Sequence, residues 1–114
     1  MIGIKRAYEP AEPGDGKRIL VERLWPRGVK KEALQLDEWA KEVSPSPALR
    51  TWYGHRQERW PAFVQRYRAE LEANPAAWEP LLEAARRGRV TFVIAAKEKE
   101  RSSAAVLRDF LAER

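Results

Sequence analysis

The segment VTFVIAA, residues 90–96, constrains the fold of this chain more than any other feature. It is an unbroken apolar run rich in β-branched residues, a composition typical of a strand that is buried on both faces. Such strands belong to largely parallel sheets that carry helices on both sides. A charged loop, KEKER, follows the strand, and a last helix then opens at Ser102 and Ser103. The segment therefore predicts an α/β fold.

Two segments near the N-terminus also have the patterns of strands. Ile2 and Ile4 alternate with smaller or charged residues in IGIKRAY, which predicts a first short strand. RILVERL, residues 18–24, predicts a second strand with Ile19, Val21 and Arg23 on one face. We expect this second strand to run parallel to the last one. The connection between the first two strands is long for a hairpin and short for a helical crossover, so it leaves the direction of the first strand open.

Residues 29–88 are predicted to be helical throughout, as one long insertion before the last strand. VKKEALQLDEWAKEV predicts a helical turn and then a helix with Asp37 as its N-cap, and a short helix is predicted to end near Gly54. The apolar stripe of the next helix consists of Trp60, Phe63, Val64, Tyr67 and Leu71. We therefore expect one α/β domain over residues 1–114, with a small, mostly parallel sheet of three or four strands covered by helices.

Composition excludes several kinds of chemistry. The chain has no cysteine and one histidine, His55, which excludes disulfides, a thiolate nucleophile and metal sites built from cysteine or several histidines. No phosphate-binding glycine motif occurs either, so we predict no metal ion and no cofactor. The N-terminus lacks the apolar core of a signal peptide, and no apolar run approaches the roughly 18 residues of a membrane span. These features predict a cytoplasmic protein without a membrane partner.

The predicted strands end in charged segments, at the edge of an open α/β sheet where ligands bind. LWPRG follows the second strand and KEKERSS follows the last one. The predicted ligand-binding residues are Arg23, Trp25, Arg27, Lys97, Arg101, Ser102 and Ser103. The start of the last helix adds N–H groups and a helix dipole that favour an anion. We therefore predict binding of an anionic small molecule, including a phosphorylated one, at this edge.

The two arginines of the LWPRG region also have structural interpretations. Arg23 shares a face with positions that helices should cover, so its guanidinium needs either an anionic ligand or an ion pair. The candidate ion-pair partners are Glu22, Glu98 and Glu100. Arg27 is either a ligand contact or a turn residue in solvent.

Two residues are candidates for proton transfer if the protein is an enzyme, namely Glu22 and His55. His55 follows a glycine at a helix end, and it either acts as a general base or caps that helix and packs on Trp52. Ser102 and Ser103 are good N-cap residues, and with one distant histidine they do not indicate a catalytic triad. Whether the chain is an enzyme is left open.

A net charge of +5 also allows a second hypothesis, a nucleic-acid or protein interaction module. A solvated surface of interspersed arginine and glutamate would give the same net charge. The arginines that would serve such a module are Arg56, Arg59, Arg66, Arg68, Arg86, Arg87 and Arg89. No helix-turn-helix spacing, RNP-like aromatic strand or GXXG loop accompanies them, so nucleic acid is not the favoured partner. The sequence indicates no oligomeric state.

Six segments together point to a known family. They are RILVERLWPRG (18–28), LDEWA (36–40), WYGH (52–55), ERW (58–60), FVQRYRAEL (63–71) and GRVTFVIAA (88–96). In order and spacing they resemble the YeaO-like branch of the family called domain of unknown function 488. The resemblance covers nearly the whole chain and implies a small cytoplasmic α/β protein, without implying a particular activity.

Two departures from the family pattern concern the predicted site. Glu22 stands where the family tends to have aspartate, and Arg101 stands where a histidine would fall in the loop after the last strand. The Cys-His-Arg motif of other branches is absent, so the resemblance implies no thiol chemistry in this chain. Anion binding by this loop is compatible with arginine in place of histidine, whereas a histidine-dependent role is not.

Overall fold

Four parallel strands form one sheet in the computed structural model, which describes residues 1–114. The strands are β1 (Ile2–Arg6), β2 (Lys17–Leu20), β3 (Glu38–Trp39) and β4 (Val90–Ile94), and their order in the sheet is β1-β4-β2-β3. The helices are α1 (Lys31–Leu34), α2 (Pro47–Tyr53), α3 (Trp60–Ala73), α4 (Pro75–Arg87) and α5 (Ser103–Ala112). Single turns of 3-10 helix cover Pro13–Asp15, Lys41–Val43 and Gln57–Arg59. The predicted α/β fold is confirmed.

The strand β4 lies between β1 and β2 and is buried along its whole length. Phe92 and Ile94 pack into the main core, which helices α2–α5 complete on one face of the sheet. Val93 packs on the opposite face with Leu20 and Leu34, under α1 and the loop around it. The two-sided burial predicted from the apolar run is therefore confirmed. Both neighbours run parallel to β4, which gives the first strand its direction.

The strand β2 ends at Leu20, whereas the alternation predicts a strand over residues 18–24. The N–H of Val21 still donates to the carbonyl of Val93 at 3.3 Å, but the chain then leaves the sheet. The indole Nε1 of Trp39 donates to the carbonyl of Glu22 at 2.6 Å and takes the place of a further backbone bond. The departure of the chain leaves Glu22 at the carboxyl edge of the sheet.

The predicted helix with Asp37 as its N-cap is wrong, because Glu38 and Trp39 form the edge strand β3. The N–H of Asp37 donates to the carbonyl of Arg18 at 2.9 Å, and the Asp37 carboxylate accepts the N–H of Arg18 at 2.8 Å. The preceding helix α1 stops at Gln35, whose φ of 47° is left-handed. This segment therefore pairs with the open edge of β2, and residues 29–88 are not helical throughout.

The helix ends predicted at Gly54 and Ser102 are confirmed. Gly54 ends α2 with a left-handed φ of 51°, Pro61 lies in the first turn of α3, and Ser102 caps α5. Asn74 separates α3 from α4. These ends bring the last turn of α2 and the first turns of α3 and α5 to the carboxyl edge of the sheet. No helix combines the length and apolar character needed to cross a membrane.

Candidate functional site

A cavity of about 140 Å³ lies at the carboxyl ends of β2 and β4, between α2, α3 and the start of α5. Its charged and polar lining residues are Glu22, Arg50, His55, Arg101, Ser102 and Ser103. The remaining lining residues are Pro45, Tyr53, Trp60, Phe63, Ile94 and Ala96. Of the residues predicted for the site, the structure brings together Glu22, His55, Arg101, Ser102 and Ser103.

Glu22 occupies the gap that opens where β2 leaves the sheet. Its Oε1 accepts the N–H of Ala95 at 3.0 Å, which extends the bonding between the two strand ends through a side chain. Its Oε2 lies 3.6 Å from Nη1 of Arg50, and the Glu22 side chain is only 12% exposed. The carboxylate is therefore held in place from both sides and faces the cavity as a positioned acceptor.

Arg50 lies in the last turn of α2, and its side chain is 46% exposed. The helix is fixed at its start by Ser46, whose hydroxyl accepts the N–H of Leu49 at 3.2 Å. Glu70 of α3 in turn accepts the N–H of Ser46 at 2.9 Å. Sequence reasoning missed Arg50, because its partner Glu22 lies far away along the chain and no local pattern links the two.

The first turn of α5 borders the cavity through Ser102 and Ser103. The hydroxyl of Ser102 accepts the N–H of Ala105 at 3.2 Å and donates to the carbonyl of Lys99 at 2.6 Å, so this side chain is engaged as the N-cap. The N–H groups of Ser103 and Ala104, in the first turn of the helix, donate to no acceptor in the protein. Free N–H groups at a helix start carry partial positive charge and bind anions well.

Arg101 closes one side of the cavity. Its Nη1 donates to Oε1 of Gln57 at 2.6 Å and so joins the loop after β4 to the 3-10 turn before α3. The side chain is exposed, so its remaining donors are available to a ligand. Gln57 is a further neighbour of this edge that no motif in the sequence singles out.

Three aromatic residues form one wall of the cavity: Tyr53, Trp60 and Phe63. The ring centroids of Trp60 and Phe63 are 5.3 Å apart with the planes at 19°, and those of Tyr53 and Phe63 are 4.7 Å apart. Sequence reasoning assigned Trp60 and Phe63 to the core stripe of α3, and both do pack there. Helical spacing does not reveal that the end of the stripe borders a cavity.

His55 lies at the mouth of the cavity, is exposed and has a left-handed φ of 59°. Its ring lies beside Tyr53, with the centroids 6.4 Å apart. The alternative in which His55 packs on Trp52 is wrong, because the guanidinium groups of Arg59 and Arg66 stack on the Trp52 ring. No group of three or more histidine or acidic side chains is arranged to hold a metal ion.

Arg23 lies outside the cavity lining. Its Nε donates to the carbonyl of Pro45 at 3.0 Å and its Nη2 to the carbonyl of Ser44 at 3.3 Å. The nearest carboxylate, that of Glu42, is 3.8 Å from Nη1. The ion-pair partners expected from the sequence are therefore wrong, and Arg23 chiefly holds the segment that leads into α2.

Trp25, Arg27 and Lys97 also lie outside the cavity lining. Trp25 packs edge-on against Trp39 and its Nε1 donates to the carbonyl of Val29 at 2.6 Å. Arg27 and Lys97 are exposed. Ligand contacts by these three residues and by Arg23 stay predictions without geometric support from this cavity.

Two ion pairs anchor the loop between β4 and α5 that borders the cavity. Nζ of Lys99 lies 2.7 Å from Oε1 of Glu9, and Nη2 of Arg108 lies 3.0 Å from Oε1 of Glu100. The hydrogen bond from Lys99 lowers the pKa of the Glu9 carboxyl, and the one from Arg108 lowers the pKa of the Glu100 carboxyl. Both carboxyls are therefore ionised at neutral pH.

The arginines in α3 and in the turn before it make intramolecular contacts of their own. Arg59 and Arg66 stack on Trp52, and Arg68 forms an ion pair with Glu113. A nucleic acid would have to share these groups with their protein partners. Use of this surface by a nucleic acid or a protein partner stays a prediction.

Fold and site together define a class, a parallel α/β domain with a small cavity at the carboxyl edge of its sheet. Within that class the chain belongs to the DUF488-N3i family, described as the inactive DUF488-N3 subclade, whose model matches residues 1–114. The resemblance inferred from the sequence motifs is therefore confirmed.

Similar proteins occur in distant bacteria. The chain is 43% identical over 110 residues to the uncharacterized protein YeaO of Escherichia coli, an alignment that covers 96% of each protein. It is 42% identical over 110 residues to the uncharacterized protein Rv3073c of Mycobacterium tuberculosis, covering 96% of this chain and 92% of the relative. No solved structure matches the chain.

Proposed function

We propose that the protein binds a small anionic molecule in the cavity at the carboxyl edge of the sheet. The observation that carries the proposal is the meeting of Arg50, Arg101 and the first turn of α5 around one cavity. Glu22 is the one carboxylate among the lining residues, and it already faces Arg50. Positive groups therefore exceed negative groups, and the free N–H groups of α5 favour an anion further.

The cavity volume limits the size of the ligand. Pockets for drug-sized molecules measure about 300–1,000 Å³, whereas this one holds about 140 Å³. Phosphate or a small carboxylate fits within that volume, whereas a complete nucleotide would extend beyond it.

We propose binding without turnover. Both oxygens of Glu22 already face partners within the protein, the N–H of Ala95 and the guanidinium of Arg50, so neither is free to engage a ligand. The description of the family as an inactive subclade supports the same view. Proton transfer by Glu22 and His55, the two candidates from the sequence, stays a prediction.

The test is a titration of the ¹⁵N-labelled protein with inorganic phosphate, acetate and benzoate, followed by NMR. We expect the N–H signals of Ser103 and Ala104 to shift with at least one anion. Arg101→Ala should weaken that binding about tenfold or more, because a charge-assisted hydrogen bond is lost. Arg27→Ala is the matched control, since it removes the same charge from an exposed position outside the cavity.

Binding of none of the three anions would overturn the proposal. Equal weakening by Arg27→Ala and Arg101→Ala would also overturn it, because the attraction would then follow net charge and not the cavity.

A further inference from the structure

The cavity has two chemically different walls. The polar wall contains Arg50, Arg101 and the start of α5, and the other wall is aromatic. In the aromatic wall, Tyr53 and Trp60 are half-buried, and each contacts the buried ring of Phe63 behind them. Because every ring packs on another, this surface is continuous and largely preorganised.

A bare, strongly hydrated anion would use only one of these walls. Phosphate or acetate at the start of α5 would leave the Tyr53 and Trp60 rings in contact with water. A ligand that carries a flat apolar body would displace this water, and its ring would pack edge-on or offset against the wall.

The volume fits one aromatic ring with a short substituent. An apolar protein cavity of about 150 Å³ accommodates a single benzene molecule, and this cavity measures about 140 Å³. A two-ring compound or a nucleoside exceeds this space. The lining residue Arg101 is exposed, so a substituent beside it can extend towards solvent.

The polar wall selects the charge of that substituent. An ammonium group would meet Arg50 and Arg101, whereas Glu22 is already bonded to the N–H of Ala95. A planar carboxylate matches the geometry of a guanidinium and accepts backbone N–H groups such as that of Ser103.

We infer that the ligand is a small aromatic carboxylic acid, with its ring on the Tyr53 and Trp60 wall and its carboxylate at the start of α5. This inference rests on the proposed function and adds to it the apolar half of the ligand. The polar wall of the cavity alone would bind any small anion.

The experiment compares the affinities of benzoate, acetate, inorganic phosphate and benzamide for the intact protein, measured by NMR titration. Benzoate should bind at least tenfold more tightly than acetate and phosphate, because only benzoate covers the aromatic wall. It should also bind at least tenfold more tightly than benzamide, which has the same shape without the charge. Tyr53→Leu should weaken benzoate binding severalfold and weaken acetate binding less, because only benzoate covers the ring that the substitution removes.

Tyr8→Leu is the matched control, because Tyr8 is 52% exposed and lies outside the cavity. Phosphate or acetate binding as tightly as benzoate would overturn the aromatic inference and leave the proposed anion binding standing. Benzamide binding as tightly as benzoate would overturn the inferred requirement for a carboxylate on the ligand, and the proposed function would then depend on the binding of acetate and phosphate. Binding of no compound would overturn both.

Discussion

The role expected for Arg23 from its side-chain chemistry differs from the role that its contacts give it. A guanidinium at the end of a buried strand suggests either an anionic ligand or an ion pair. The backbone carbonyls of Ser44 and Pro45 take two of its donors instead. Carbonyls carry no sequence signal, since every residue has one, so no pattern in the chain points to them.

Arg23→Ala should lower the free energy of unfolding by about 1.5–3 kcal/mol, the usual contribution of hydrogen bonds from a charged group. The substitution removes both bonds to the segment that leads into α2. Urea-induced unfolding followed by circular dichroism measures the change. Anion affinity should fall less than it does in Arg101→Ala.

Arg27→Ala provides the comparison at the same edge of the sheet, because the Arg27 side chain is exposed. Its effect on stability should stay within about 0.5 kcal/mol. Unchanged stability in Arg23→Ala together with lost anion binding would show that Arg23 contacts the ligand after all.

At the scale of whole elements, the sequence correctly predicts the strands and helices whose pattern of apolar residues reflects their own burial. The apolar run of β4 and the stripe of α3 each report a local environment, and both were predicted correctly. The strand β3 was not, because the edge of β2 determines its conformation through Arg18, which is distant in sequence. The residues that line the cavity divide in the same way. The start of α5 was predictable from the sequence, whereas the positions of Arg50 and of the aromatic wall depend on how α2 and α3 pack against the sheet.

The loop between β4 and α5 should respond to acid through its two anchors. The folded-state pKa values of Glu9 and Glu100 are lowered by Lys99 and Arg108. The stabilisation is therefore complete above the unfolded pKa of about 4.3 and is lost as the pH falls through the lower folded value. A ¹³C NMR titration of the side-chain carboxyls should give both glutamates a pKa below the usual value.

Each anchor is the control for the other. Arg108→Gln should return the pKa of Glu100 towards its usual value and leave that of Glu9 low, and Lys99→Gln should do the reverse. A Glu100 carboxyl that titrates identically with and without Arg108 would contradict the anchoring of the loop by this pair.

At the scale of the whole molecule, two distant connections meet at the amino edge of the sheet, opposite the cavity. The turn that leads into β2 contains Gly16, and the turn between α4 and β4 contains Arg89. The N–H of Lys17 donates to the carbonyl of Arg89 at 2.9 Å, and the hydroxyl of Thr91 donates to the carbonyl of Asp15 at 2.7 Å. This crossing sets the register of β2 against β4, and through it the position of Glu22 at the far end.

Gly16→Ala should therefore be among the most damaging single substitutions, with a loss of at least about 3 kcal/mol in the free energy of unfolding. Gly16 has a left-handed φ of 66°, and an added Cβ would lie 2.2 Å from the carbonyl oxygen of Arg89, so the two connections would have to separate. Gly28 also has a left-handed φ but faces open space, so Gly28→Ala should cost only about 1–2 kcal/mol. Gly14 has neither constraint, and Gly14→Ala should change stability by less than about 0.5 kcal/mol. Urea-induced unfolding of the three variants measures this order, and a Gly16→Ala loss no larger than that of Gly28→Ala would contradict the close crossing of the two connections.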